Sequence, residues 1–157
     1  MQPADFHHLR VRAEAQPQRR VDPTQPVWIF GAGGFGQALA SAMRAQGSRV
    51  AGFVETMPHS TEVLGLPVLE WSQLQKMHGQ ADLALGIFNR GTAFDTLLKT
   101  AARAGFAAPH MPWTLYEQFG PSLGWRYWLS GRQVLQDRLD RIARVSEGLA
   151  DAESVQT

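Results

Sequence analysis

Short apolar runs alternate along the chain with stretches in which apolar residues recur every three or four positions. The run PVWIF at 26–30 is apolar throughout and stops at Gly31, the pattern of a strand buried on both faces. From 34 to 46 the pattern turns helical, with Phe35, Leu39, Ala42 and Met43 on one face, and Gly47 ends it. A second run at 50–54 predicts a strand closed by Glu55, and the polar, irregular stretch 56–64 reads as a loop. Residues 65–69 fit a brief strand, which Pro67 confines to a sheet edge or to the first position of the strand. Ser72 fits the cap of a short helix that stops at His78 and Gly79. Residues 81–88 predict a further strand. Thr92 with Asp95 then resembles a helix start, followed by Phe94, Leu97, Leu98 and Ala101 at helical spacing before Gly105. Residues 106–111 read as one more strand, and Thr114 with Glu117 has the spacing of a capping box for a last helical turn.

Strands alternating with helices at this spacing predict an α/β fold, a Rossmann-like parallel sheet with helices on both faces. Two flanking segments differ. Residues 1–25 are rich in arginine, proline and glutamine with little periodicity, which predicts a mobile tail. Residues 130–157 predict a C-terminal amphipathic helix, capped by Ser130 with Gln133 and lined by Leu135, Leu139, Ile142 and Leu149. Asp137 with Arg141 and Asp140 with Arg144 form i,i+4 pairs on its solvated face. The Rossmann-like domain then occupies 26–129, and the final helix follows it at 130–157.

A length of 157 residues fits one such domain. The net charge is only +1, with acids interspersed among the basic residues, which argues against a nucleic-acid partner. The absence of cysteine removes disulfides, thiolate metal sites and cysteine nucleophiles, and is compatible with a cytoplasmic address. No apolar run approaches the roughly 18 residues of a membrane span, and the N-terminus lacks the apolar core of a secretory signal.

The candidate chemistry lies at the first strand-to-helix turn. Gly31, Ala32, Gly33, Gly34, Phe35 and Gly36 match G-x-G-x-x-G directly after a strand and at the start of a helix. In that context the first glycine permits the tight turn, the second lets a phosphate approach the backbone, and the third lets helix and strand pack closely. The helix start adds unpaired N–H groups and the positive end of a dipole. A packing role alone is the competing reading of these glycines. Glu55 lies 24 residues after Gly31, where an acid accepts from ribose hydroxyls; a solvated strand-end charge is the alternative. Thr56 and Met57 supply no arginine for a 2′-phosphate, which favours an unphosphorylated ribose. Asn89 and Arg90 follow the 81–88 strand on the same edge, placed to meet a base, sugar or phosphate or simply to shape the turn. His110 is the histidine placed to line that edge, with a structural role favoured over a catalytic one. No residues stand at metal-ligand spacing. Trp125, Tyr127 and Trp128 beside Arg126 suit hydrophobic anchoring of the final helix better than a sugar grip.

The segments VWIFGAGGFG at 27–36, VAGFVE at 50–55, GLPV at 65–68, LGIFN at 85–89 and RYWL at 126–129 occur in that order. The ordered set resembles the N-terminal segment found ahead of the catalytic domain in some FkbM-type methyltransferases. Over the first ninety or so residues it is also similar to the nucleotide-sugar-binding domains of some sugar acyltransferases. The resemblance implies glycan or secondary-metabolite modification, with S-adenosylmethionine used only by the catalytic domain expected past the final helix. No methyl-transfer residue carries over. What carries over is a nucleotide site at Gly31, Gly33 and Gly36 with Glu55, its ligand NAD or a nucleotide sugar. The chain is therefore expected to be an accessory nucleotide-binding domain paired with a methyltransferase partner. An NAD-binding oxidoreductase-like domain and a purely structural docking module are the alternatives.

Overall fold

The computed structural model describes residues 19–77, 81–88 and 93–124, together with Arg138, Arg141, Arg144 and Val145. In chain order the elements are β1 (Pro26–Phe30), α1 (Gly34–Ala45), β2 (Arg49–Glu55), β3 (Glu62–Val63), β4 (Leu66–Glu70), α2 (Trp71–Met77), β5 (Asp82–Leu85), α3 (Phe94–Arg103) and α4 (Pro112–Leu123). The strands form one five-stranded sheet in the order β3-β4-β2-β1-β5. Every pairing is parallel except that of β3 with β4. This is an α/β architecture with a mostly parallel sheet.

Alternation along the strands divides the core in two. Val27, Ile29, Phe53, Val68 and Ala84 face α1 and α4, and pack on Leu39, Met43, Leu115 and Phe119. Trp28, Val54, Leu83 and Leu85 face the other way, onto Leu74 of α2 and Leu97 and Ala101 of α3. Phe53, Ile29, Leu39 and Met43 are fully buried, each such side chain stabilising the fold by about 1.5–3 kcal/mol. Both sheet faces are covered, and so the central strands are apolar without a polar alternate. Between β1 and β2 the register slips: Val27 pairs with Val50 but Trp28 with Gly52, which leaves Ala51 over. The indole of Trp28 lies where a Cβ at position 52 would stand. Gly52 thus makes room for the Trp28 ring.

Several boundaries differ from the sequence expectation, each for a local reason. The loop expected at 56–64 contains β3, which returns through a two-residue turn at Leu64 (φ 54) and Gly65 (φ 70). Both turn residues have positive φ, as a type I′ hairpin demands. A leucine carries no sign of that conformation, and the hairpin was hidden. Ser72 lies inside the first turn of α2 rather than capping it; the Gln73 side chain instead accepts the Glu70 N–H (2.9 Å). His78 and Gly79 lie outside the described residues. The strand expected at 106–111 reduces to one parallel bridge between His110 and Ala84. Pro109 has no N–H to give a ladder there. Thr114 and Glu117 do not start a helix: α4 begins at Pro112 and continues to Leu123. Proline is pre-organised for a first helical position. Helix α3 starts at Phe94 with Ala93 as its cap, and Thr92 lies outside the described residues.

Part of the stretch expected as a tail is packed. Val21 is buried at 3 % exposure, and its N–H and C=O are bracketed by the Gln118 amide of α4 (2.9 and 3.2 Å). Arg19 pairs with Asp82 and donates to the Ala108 carbonyl (3.0 Å). Asp22 accepts from the Thr24 hydroxyl (2.7 Å) and N–H (2.8 Å), which holds its carboxyl below the ordinary range. The Val21–Gln118 and Arg19–Ala108 contacts join residues 97 and 89 positions apart, a separation that local periodicity does not report. The expected C-terminal helix and the Trp125, Tyr127 and Trp128 cluster lie almost wholly outside the described residues; Arg138, Arg141, Arg144 and Val145 are helical. Among the described residues no helix is long and apolar enough to cross a membrane.

Candidate functional site

Strand β1 has β2 on one side and β5 on the other, and the chain reaches β5 only after building β2, β3 and β4. The helix that follows β1 packs on one face of the sheet and the helix that follows β5 on the other, so the strand order switches between these two strands, the place at whose carboxyl end open α/β sheets bind ligands. The turn 31–36 follows β1 at that end.

Its geometry is set by close backbone approaches. Gly31 has φ +95 and donates its N–H to the Val54 carbonyl (2.9 Å). A side chain there would be strained and would press on the Gly86 carbonyl oxygen at 3.2 Å. A Cβ at Gly36 would overlap the Gly31 carbonyl oxygen. Gly86 shares the junction: a Cβ there would stand 2.6 Å from Ile29 Cγ2 and 3.0 Å from the Gly36 Cα. Gly31, Gly36 and Gly86 thus form a three-way backbone contact between β1, α1 and the end of β5. Gly86, outside the glycine motif, was not legible as part of it.

Gly33 and Gly34 behave differently. A Cβ on either meets nothing within 4 Å, and Gly33 caps α1 in an ordinary extended conformation (φ −74, ψ −176). Packing therefore does not require glycine at these two positions. The first helical bond of α1 runs from the Gln37 N–H to the Gly33 carbonyl (2.9 Å). Among the described residues no side chain caps the helix and no acid lies in its first turn, so none of them offers a side-chain acceptor to the first N–H groups of α1. Phe35 lies half-buried on the core side of that first turn.

Ala32 holds the turn in place. It is buried, its N–H donates to Glu55 Oε1 (3.0 Å), and its carbonyl accepts from Gln37 Nε2 (2.7 Å). Glu55 is therefore more than a solvated strand-end charge: one carboxylate oxygen is committed to the turn. Oε2 has no hydrogen-bond partner among the described residues. Sequence reasoning placed Glu55 beside the site but missed its bond to the turn and the part played by Gln37. Glu55→Ala is expected to leave the buried Ala32 N–H without an acceptor, at a cost of about 1–3 kcal/mol. Glu55→Gln keeps an oxygen there and is expected to lose less than about 1 kcal/mol. Urea unfolding of the two variants measures the difference, and equal losses would show that the bond does not brace the turn.

Beyond β2 the edge opens into a cleft of about 560 Å³, bounded by Pro58, His59, Ser60, Thr61, Val68, Glu70 and Gln73. Glu70 pairs with Glu55 in the β2–β4 register, and so both carboxylates stand at the same level of the sheet. No family model, curated protein or solved structure matches this chain.

On the far side of the turn, Phe88 follows β5, Phe94 opens α3 and Trp113 lies in the first turn of α4. Asn89 and Arg90 lie outside the described residues. His110 does not line this edge. It is buried, with Nε2 3.1 Å from Asp82 Oδ2 and Nδ1 3.1 Å from the Arg19 carbonyl. Asp82 is the first residue of β5, so the histidine is directed to the amino end of the sheet, where it ties the N-terminal segment to the core. The structural reading of His110 stands.

Proposed function

We propose that the turn 31–36 holds a nucleotide phosphate in a Rossmann-like arrangement. On this reading the chain is the nucleotide- or nucleotide-sugar-binding accessory domain of an FkbM-type, S-adenosylmethionine-dependent methyltransferase, in a cytoplasmic setting. The observation that carries the phosphate site is the uncapped start of α1 beneath Gly33 and Gly34, two glycines that packing does not need. Oriented N–H groups and a helix dipole favour an anion there. Glu55 supports a ribose next to the phosphate, because its Oε2 stands beside the turn and accepts but does not donate. The cleft beyond β2 is roomy enough for a base on the same side. Assignment to a methyltransferase system rests on the sequence resemblance, with 130–157 as the amphipathic helix leading towards the catalytic domain.

The test is calorimetric titration with NAD, a uridine-diphosphate sugar and S-adenosylmethionine. Gly33→Val places a side chain where the phosphate would lie. It is expected to fold with a loss of about 1 kcal/mol at the cap position. It is also expected to weaken binding by at least about tenfold, or 1.4 kcal/mol. Absence of binding by all three ligands at millimolar concentration would give precedence to a structural docking module.

A further inference from the structure

Three aromatic rings stand in a chain at the carboxyl edge, on the β5 side of the turn. Phe88 and Phe94 have centroids 6.4 Å apart at an interplanar angle of 50°, and Phe94 and Trp113 are 6.3 Å apart at 52°. Both are tilted pairs at ordinary aromatic separations. They come together because β5 ends, α3 begins and α4 begins at the same edge of the sheet. The outermost ring is the least covered, with Trp113 38 % exposed. Trp113 is in the first turn of α4, whose neighbours Pro112 and Leu115 are buried, so α4 is anchored without it.

We infer that this wall, with Trp113 at its rim, receives the pyranose ring of a sugar nucleotide. The inference rests on the phosphate assignment at 31–36. Phe88 follows β5, one strand from β1, and the His110 bridge that leads into Trp113 lies two strand positions from β1, so at about 4.8 Å per strand the wall runs from about 5 to about 10 Å to one side of the turn. Glu55 lies on the opposite side of the turn, one strand from β1. A nucleoside diphosphate laid across the edge, ribose towards Glu55 and phosphates over the turn, carries its sugar towards Trp113. A pyranose has an apolar C–H face and a rim of hydroxyls. A half-exposed indole offers apolar contact to the face and leaves the rim in water, the division that amphipathic aromatic surfaces serve elsewhere. A nicotinamide ring positioned for hydride transfer needs enclosure from solvent, which a ring at an exposed rim does not supply.

The test compares the affinity of each sugar nucleotide with that of its own diphosphate, using UDP-glucose against UDP and ADP-glucose against ADP on the full chain. In the native protein one sugar form is expected to bind about five- to tenfold more tightly than its diphosphate. In Trp113→Ala that ratio is expected to fall to about one, and Trp113→Phe, which keeps a ring against Phe94, is expected to retain most of it. The Trp113 indole N–H resonance, assigned by its loss in Trp113→Phe, is expected to shift with UDP-glucose and not with UDP. A native ratio of one, or a ratio unchanged in Trp113→Ala, would overturn the sugar site while leaving the phosphate site standing. Failure of both diphosphates to bind would overturn the phosphate site and this inference with it. A Trp113-dependent preference for NAD over ADP-ribose would reassign the wall to nicotinamide.

Discussion

Gly36→Ala is expected to destabilise the fold by about 3 kcal/mol or more, at the upper end of overpacking changes. The added methyl group would overlap the Gly31 carbonyl oxygen and stand 3.0 Å from its carbon. No rotamer relieves this, because both partners are backbone. Moving Gly31 would break its N–H bond to the Val54 carbonyl and disturb Gly86, whose carbonyl oxygen lies 3.4 Å from the same Cβ position. Gly34→Ala, two residues earlier in the same helix, is the control. Its Cβ meets nothing within 4 Å, and alanine is favoured over glycine in a helix by up to about 1 kcal/mol. Thermal melting should separate the pair clearly, at about 2–4 °C per kcal/mol for a domain of this size. A Gly36→Ala protein as stable as Gly34→Ala would mean that α1 does not approach β1 as closely as described.

Phe119→Ala is expected to lose about 3–5 kcal/mol. The ring is fully buried between α1 and the sheet, in one cluster with Leu39, Met43, Leu115, Leu123 and Val21. Truncation removes its burial and leaves a cavity under α4, which the relatively stiff sheet closes only in part. The loss should extend to the N-terminal segment, because Gln118 brackets Val21 from the same helix. Hydrogen exchange at the Val21 amide is therefore expected to accelerate along with that of α4. Guanidinium unfolding gives the magnitude. A loss under about 1 kcal/mol would place α4 outside the cooperative core.

The two predictions differ in how far the sequence foretold them. Gly36 stands in a short motif between an apolar run and a helical pattern, where spacing alone announces a close approach of backbone. Phe119 lies past the single helical turn that Thr114 and Glu117 suggest, and nothing near it in sequence points to Val21. The same contrast holds within the site. Gly31, Gly33, Gly36 and Glu55 were legible because a strand, a turn and a second strand at fixed intervals dictate where they stand. Motif position already set Gly36, the close-packing glycine, apart from Gly33, which leaves room at the backbone. The surroundings add which atoms fill the space: nothing at position 33, and the Gly31 carbonyl group at position 36.

By itself the sequence determined the alternation of strands and helices, the glycine turn between β1 and α1, and the acid at the end of β2. Each depends on residues close together along the chain, where steric preference and hydrophobic period act directly. The tertiary structure decided what depends on parts distant in sequence. Gly86 comes against Gly31 because β5 lies beside β1, and Glu55 finds the Ala32 N–H because β2 flanks the turn. His110 turns towards Asp82 and the amino end of the sheet, and Phe88, Phe94 and Trp113 meet where three connections converge. Such contacts arise from strand order and from which face each helix covers, and no local pattern of residues encodes the order in which parallel strands assemble.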